Sequence, residues 1–254
     1  MGEFDHNTAP SDKLLPDAER KVALVTGAGG RIGRAVAIGF AEAGAEVFVT
    51  DLHVPAFQQH ARCHAAVSDV ASEPAVAALE TEIRARFGRL DYLVNAAGIA
   101  GGGPLAETAL DDWHRVVDVN LTSCFLLARA FHPLLKQSRG TVVFLGSSNG
   151  VNGGSALSGA AYAVAKAGVH NLTRYLAKEW AADGIRVNAL APGPIDTPMV
   201  TRFDDETLEK LRGAIPLARF GTAEEVAANV LFICSRHAAW QTGTIVNLSG
   251  GLVA

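Results

Sequence analysis

The sequence predicts an α/β fold: a doubly wound parallel sheet of about seven strands with helices on both faces. Three observations carry that expectation. From Lys21 onward, short β-branched runs alternate with longer Ala-rich stretches, the form that βαβ units take when a parallel sheet is buried on both sides. Hydrophobic residues make up 49% of the 254 and charged residues only 19%, which is enough apolar surface for a full core and excludes disorder over most of the length. Glycine contributes 26 residues, above the usual ~7%. That excess suits tight turns and close backbone approaches rather than a helix bundle.

Taken in order, the strands are expected at Lys21–Thr26, Glu46–Asp51, His64–Val67, Tyr92–Asn95, Thr141–Leu145, Arg186–Ala191 and Thr244–Leu248. Between them, apolar residues at three- and four-residue spacing predict helices over Ile32–Ala43, Glu73–Phe87, Leu110–Leu135, Ala160–Ala182 and Ala223–Ser235. Pro192–Phe220 lacks a strong period, and so long an excursion reads as a lid-like segment, residues 192–220, with a short helix near Asp204–Leu211. Residues 1–20 are polar and read as a disordered extension, which leaves 21–254 as one domain. No repeat of fixed period is present.

A net charge of −4 offers no basic field, so nucleic acid is not expected as a partner. No apolar run reaches the ~18 residues that span a bilayer, so no membrane partner is expected either. Cys63, Cys124 and Cys234 lie far apart, which suggests neither a disulfide framework nor a metal site and fits the cytoplasm.

Chemistry begins at the end of the first strand, with Thr26-Gly27-Ala28-Gly29-Gly30-Arg31-Ile32-Gly33 ahead of a helix. Gly27, Gly29 and Gly30 allow a tight turn, the helix N-terminus offers unpaired N–H groups to a pyrophosphate, and Gly33 lets helix pack on strand. This is the context of a Rossmann-type dinucleotide turn. Asp51 closes the second strand 18 residues beyond Gly33, near the spacing at which a carboxylate reaches the adenosine ribose hydroxyls. Its charge would repel a 2′-phosphate, which favours NAD over NADP, although Arg31 or His53 could neutralise that phosphate. Tyr162 and Lys166 stand at i and i+4 on one helix, so phenol and ammonium share a face and the ammonium can lower the phenol pKa.

With these motifs in order, the chain resembles the short-chain dehydrogenase/reductase family of the Tyr-x-x-x-Lys type, from Val22 to near the C-terminus. The family's Thr-Gly-x-x-x-Gly-x-Gly turn is met by Thr26, Gly27 and Gly33, whereas Arg31 stands where the middle glycine belongs. The resemblance extends to Asp69-Val70, Asn95-Ala96-Ala97-Gly98, Asn120, Ser147, Pro192-Gly193-Pro194-Ile195-Asp196-Thr197 and Asn247-Leu248-Ser249-Gly250-Gly251. It implies that Tyr162 is the general acid–base, that Ser147 polarises the substrate oxygen, and that Lys166 binds the nicotinamide ribose. It also implies that Asn120 holds a water in a proton relay. On the cofactor side it implies adenine contacts at Asp69 and Val70, a cleft lined by Asn95, Ala96 and Gly98, and a carboxamide held by Ile195 and Thr197 beyond Pro192 and Gly193. A homotetramer is implied in the same way.

The expected reaction is hydride transfer between NAD(H) and a secondary alcohol or its ketone. Asn149, Asn152, Ser155, Ser158 and the run Gly101–Gly103 suggest a polar, roomy mouth suited to a sugar, polyol or hydroxy acid. Other readings stay open at this point. A 3-oxoacyl thioester reductase using NADPH fits the same motifs, and a non-catalytic NAD sensor would need only the glycine turn. Gly146-Ser147-Ser148-Asn149-Gly150 also matches the G-x-S-x-G elbow of a serine hydrolase, although the following Val151–Ser155 reads as loop where that elbow needs a helix. The family's serine could also be Ser148 in a shifted register. Trp113, Phe125, Phe131 and Trp180 read as packing residues.

Overall fold

The structure is a computed structural model that describes residues 15, 18–53 and 61–253. Seven strands form one sheet: β1 (Val22–Thr26), β2 (Glu46–Asp51), β3 (Cys63–Val67), β4 (Tyr92–Asn95), β5 (Thr141–Leu145), β6 (Arg186–Pro192) and β7 (Ile245–Leu248). Their spatial order is β3-β2-β1-β4-β5-β6-β7, and every neighbouring pair runs parallel. Each strand lies within one residue of its expected ends. Sequence order reverses between β1 and β4, and a sheet of this kind opens its ligand crevice at the carboxyl ends of the strands beside such a reversal.

Alternation along the strands divides the core. Ala23, Val25, Val47 and Val49 face the layer of α1 (Arg31–Ala43) and α9 (Ala223–Cys234), where Val36, Phe40 and Val230 are buried. Val22, Leu24, Phe48 and Leu93 face the layer of α2 (Glu73–Phe87), α4 (Ser123–Ser138) and α6 (Ala160–Glu179), with Ile83, Phe131 and Leu176 inside. Each such large side chain stabilises the fold by roughly 1.5–3 kcal/mol when fully buried.

The structure corrects several expectations. The helix predicted over Leu110–Leu135 is two helices, α3 (Leu110–Val117) and α4, joined by a wide π turn at Asp118–Thr122. The cause is Asn120, whose side-chain amide donates to the carbonyls of Val116 and Ile99, both at 2.8 Å, and so takes an acceptor the α-helical ladder would use. The extension expected at 1–20 is partly anchored, because Leu15 and Ala18 are buried against the α1 face of the core. The remaining part, 1–14 with 16 and 17, lies outside the described residues. Phe125 is exposed rather than packed, with Arg129 over its ring, whereas Phe131 and Trp180 are buried.

In the lid-like segment, α7 (Pro198–Thr201) precedes α8 (Asp205–Gly213), whose N-cap Asp204 accepts from the Thr207 N–H at 2.7 Å. After β5 the chain forms a single helical turn, α5 (Asn149–Asn152), where loop was expected. Among the described residues no helix is long and apolar enough to cross a membrane.

Candidate active site

The turn after β1 is held by two close approaches. A Cβ placed at Gly27, where φ is 65°, would fall 2.5 Å from the Ala97 nitrogen. One placed at Gly33 would fall 2.3 Å from the Gly27 oxygen. Only glycine lets β1, the loop after β4 and α1 meet this closely. α1 begins without a side-chain cap, and among the described residues no acceptor meets the N–H groups of Arg31, Ile32 or Gly33. These donors border a cavity of about 280 Å³ lined by Gly27, Gly30, Arg31, Ile32, Gly33, Ala96 and Gly98 on one side. Uncapped donors and the positive end of a helix dipole beside a hollow are what a dinucleotide pyrophosphate needs, so the residues present fit such a cofactor.

The far side of this cavity is formed by Ser147, Tyr162, Lys166, Pro192, Gly193, Ile195 and Thr197. Asp51, Asp69 and Val70 do not line it. They stand beyond it at the ends of β2 and β3. Asp51 accepts from the backbone N–H groups of Gly29 at 3.0 Å and Leu52 at 2.7 Å, which fixes its carboxylate beside the glycine turn. Asp69 accepts from the Ala71 N–H at 2.9 Å, and Val70 is buried. Asn95 lies beneath the cleft rather than in its wall. Its Oδ1 accepts from Thr26 Oγ1 at 2.5 Å, and its Nδ2 donates to Ser123 Oγ at 2.9 Å, tying β1, β4 and α4 together. Arg31 reaches across the cleft mouth, donating to the Asp196 carbonyl at 3.0 Å and pairing with its carboxylate at 3.2 Å.

Lys166 is almost wholly buried and donates to the Leu145 carbonyl at 2.7 Å, its Nζ lying 5.5 Å from the centroid of the Tyr162 ring. Burial pulls its pKa down to about 8. Burial likewise raises the phenol of Tyr162 above its ordinary value, with the Ser147 hydroxyl partly opposing. The lowering expected from Lys166 is therefore not what the protein alone displays. The ammonium serves the Leu145 carbonyl, and desolvation of the phenol dominates. Asn120 sits below the cavity with a buried Oδ1 that has no hydrogen-bond partner among the described residues. A Cβ at Gly98 would lie 2.9 Å from that oxygen and 3.5 Å from Lys166 Nζ, so the glycine keeps open the space between them.

A second cavity, of about 260 Å³, adjoins the first, and the two share Ser147, Tyr162, Gly193, Met199 and Val200. Ser148 borders only the second, which places Ser147 rather than Ser148 where the hollows meet. Ser147 Oγ accepts from the Asn149 N–H at 3.1 Å. Asn149, Asn152, Ser155 and Ser158 line this mouth as expected, but Leu157, Phe203, Leu211 and Leu252 give it an apolar side as well. The run Gly101–Gly103 does not line it. Gly101 and Gly103 donate to the Ser158 and Ala156 carbonyls, at 3.0 and 2.9 Å, and brace the substrate loop from behind.

Two residues of the site escaped the sequence reading. Buried His170 touches the Ser147 backbone, and its one signal was its place four residues after Lys166 on the same helix. Arg202, which joins the lid to the mouth, had no sequence signal.

Comparison with known proteins agrees with this geometry. A family described as enoyl-(acyl carrier protein) reductase matches residues 27–253. The galactitol 2-dehydrogenase of Rhizobium johnstonii is 41% identical over 250 residues, covering 94% of this chain and 96% of its own. A 3-oxoacyl-[acyl-carrier-protein] reductase of Thermotoga maritima is 36% identical over 244 residues, covering 92% and 98%. The solved structure of Thermoplasma acidophilum aldohexose dehydrogenase superposes with a TM-score of 0.85 at 31% identity, covering 94% of this chain and 96% of that one. With its seven-stranded parallel sheet and with Ser147, Tyr162 and Lys166 gathered beside an uncapped glycine turn, this oxidoreductase belongs to the short-chain dehydrogenase/reductase family.

Proposed function

We propose that the protein prefers NAD and moves hydride between NAD(H) and a secondary alcohol or the matching ketone, its substrate being a small polar sugar, polyol or hydroxy or keto acid. The observation that carries this reading is the meeting of two cavities at Ser147 and Tyr162, one beside the helix N-terminus and one open to the polar loop. When bound, the nicotinamide ring supplies the hydride acceptor or donor.

The protein's own residues handle the proton and the geometry. In alcohol oxidation the carbinol carbon loses hydride, two electrons with it, and the hydroxyl proton passes to the Tyr162 oxygen, leaving the ketone. Ser147 donates to the substrate oxygen and steadies the charge that develops there. With the cofactor in place, Lys166, cationic below about pH 8, binds the nicotinamide ribose and its charge works against the burial that keeps Tyr162 protonated in the free protein. The unpartnered Asn120 Oδ1 takes a water that relays protons toward Lys166.

Gly27, Gly29, Gly30, Arg31, Ile32 and Gly33 hold the pyrophosphate. Asp51 takes the adenosine ribose, and Asp69 and Val70 flank the adenine. Asn95, Ala96 and Gly98 shape the cleft, while Pro192, Gly193, Ile195 and Thr197 hold the carboxamide end. Preference for NAD rests on the fixed Asp51 carboxylate, which repels a 2′-phosphate carrying about −1.5 to −2. The exposed apolar residues Phe125, Val164 and Tyr175 on α4 and α6, with Phe232 on α9, support a homotetramer. Cys63, Cys124 and Cys234 are unpaired, which supports a reducing cytoplasm.

The similarity to galactitol 2-dehydrogenase favours a polyol, whereas the similarity to 3-oxoacyl-[acyl-carrier-protein] reductase favours a second reading, reduction of a 3-oxoacyl thioester with NADPH. NADH-linked absorbance with polyols, sugars, hydroxy acids and 3-oxoacyl thioesters, run with both cofactors, separates them. The first reading expects turnover with NAD and loss of that turnover in Tyr162→Phe. Thioester reduction confined to NADPH replaces it with the second, and a chain that binds NADH without turning over any substrate is a sensor.

A further inference from the structure

The substrate cavity contains a single charged side chain among the described residues that line it, Arg202 at the end of α7. Its partners are neutral. Nη2 donates to the Gly101 carbonyl at 3.4 Å and the Leu157 carbonyl at 3.2 Å, and the guanidinium lies 4.9 Å from the centroid of the Phe203 ring. No carboxylate among the described residues pairs with it, in contrast to Arg31 of the adjoining cavity, paired with Asp196, and to Arg219, paired with Glu225. Both bonds use the same nitrogen, and the Nη1 and Nε donors have no acceptor among the described residues. A guanidinium carries five donors in a planar fork that matches a carboxylate bidentately. Carbonyl dipoles hold this one at the mouth and leave its charge uncompensated.

We propose that Arg202 selects the substrate by binding a carboxylate on it, so that the preferred substrates are small hydroxy acids and the matching keto acids rather than neutral sugars or polyols. The assignment rests on the oxidoreductase reading above. In the forward direction the carbinol carbon loses hydride to NAD and its hydroxyl gives up a proton to Tyr162, giving keto acid, NADH and a proton. The carboxylate is unchanged and acts only as the handle.

The test compares acid with neutral isostere: 3-hydroxybutyrate with 3-hydroxybutyramide, and galactonate with galactitol. Each pair is measured as kcat/KM with NAD, and as affinity for the dead-end complex with NADH by calorimetry. The wild type is expected to favour the acid at least ten-fold, a preference that falls ten-fold or more in Arg202→Gln and is partly retained in Arg202→Lys. A purely structural lid role would lower acid and neutral compounds together and leave the ratio unmoved, and that result overturns the proposal, as does equal preference in the wild type. The calorimetric ratio separates the two readings. A preserved acid preference in binding with no hydride transfer leaves the Arg202 assignment standing and counts against the oxidoreductase reading, whereas turnover of neutral compounds without acid preference overturns Arg202 alone.

Discussion

The backbone N–H of Ser147 donates to Nε2 of His170 at 3.4 Å, and a Cβ placed at the preceding Gly146 would fall 2.2 Å from that same nitrogen. A Cβ at Gly150 would fall 2.9 Å from the Cε1 of the ring. The two glycines that give Gly146-Ser147-Ser148-Asn149-Gly150 the outline of a hydrolase elbow are therefore where the imidazole and α6 need room. Gly146→Ala is expected to cost about 1–3 kcal/mol through overpacking. In a His170→Ala background that cost should shrink by ~1 kcal/mol or more, measured by a urea double-mutant cycle. Strict additivity would show that the ring does not impose the glycine.

The same histidine makes stability depend on pH. Burial first, then the charges of Arg174 and Lys166, lower its pKa from 6.5 to about 4. Between those values the unfolded chain binds a proton that the folded protein does not, so stability falls as pH drops through this window. The wild type should lose on the order of 1–3 kcal/mol between pH 7 and 4 beyond what His170→Gln loses. Parallel losses in the two proteins would place the titration elsewhere.

Tyr162 in the free protein is expected to ionise only above the ordinary tyrosine range, because burial raises its pKa. Phenolate absorbance of the wild type minus that of Tyr162→Phe, followed from pH 6 to 11, reads this directly. A component that titrates below pH 8 would mean that the Lys166 charge, not burial, governs the phenol.

Asp51→Ser removes the carboxylate that accepts from Gly29 and Leu52. The kcat/KM ratio of NAD to NADP should fall by roughly ten- to a hundred-fold, the size of effect expected when a fixed charge facing a phosphate is removed. A ratio that does not move assigns cofactor choice to another residue.

Arg31→Ala severs a pair whose two members are each about half exposed, so stability should change by less than ~1 kcal/mol. NAD should nevertheless bind about three- to ten-fold more weakly, because Arg31 lines the cofactor cavity and offers a charged donor to an anion there. Unchanged NAD affinity by fluorescence titration would leave Arg31 as a surface strap with no part in cofactor binding.

Periodicity made the sheet legible, since strands such as Glu46–Asp51 and Thr141–Leu145 carry their burial in their own side chains. The Tyr162–Lys166 pair was legible for a similar reason, as helical spacing alone puts both on one face. What escaped depends on partners far away in sequence. The π turn exists because Asn120 meets Ile99, 21 residues earlier, and Arg31 finds Asp196 across 165 residues. Arg202 bonds to Gly101 and Leu157 only because the lid folds back over both loops. No local window contains those encounters.

The wide turn at Asp118–Thr122 also sets a rule for the length of the chain. It accommodates a residue that a regular helix of the same span would not, and each residue of an α-helix turns the chain by about 100°. A one-residue deletion anywhere in this stretch would restore an unbroken helix while swinging the Asn120 amide away from Ile99 or rotating the buried face of α4. Length changes that a surface loop absorbs would at these five positions displace the Asn120 amide or the buried face of α4, so the number of residues between α3 and α4 is itself part of the site.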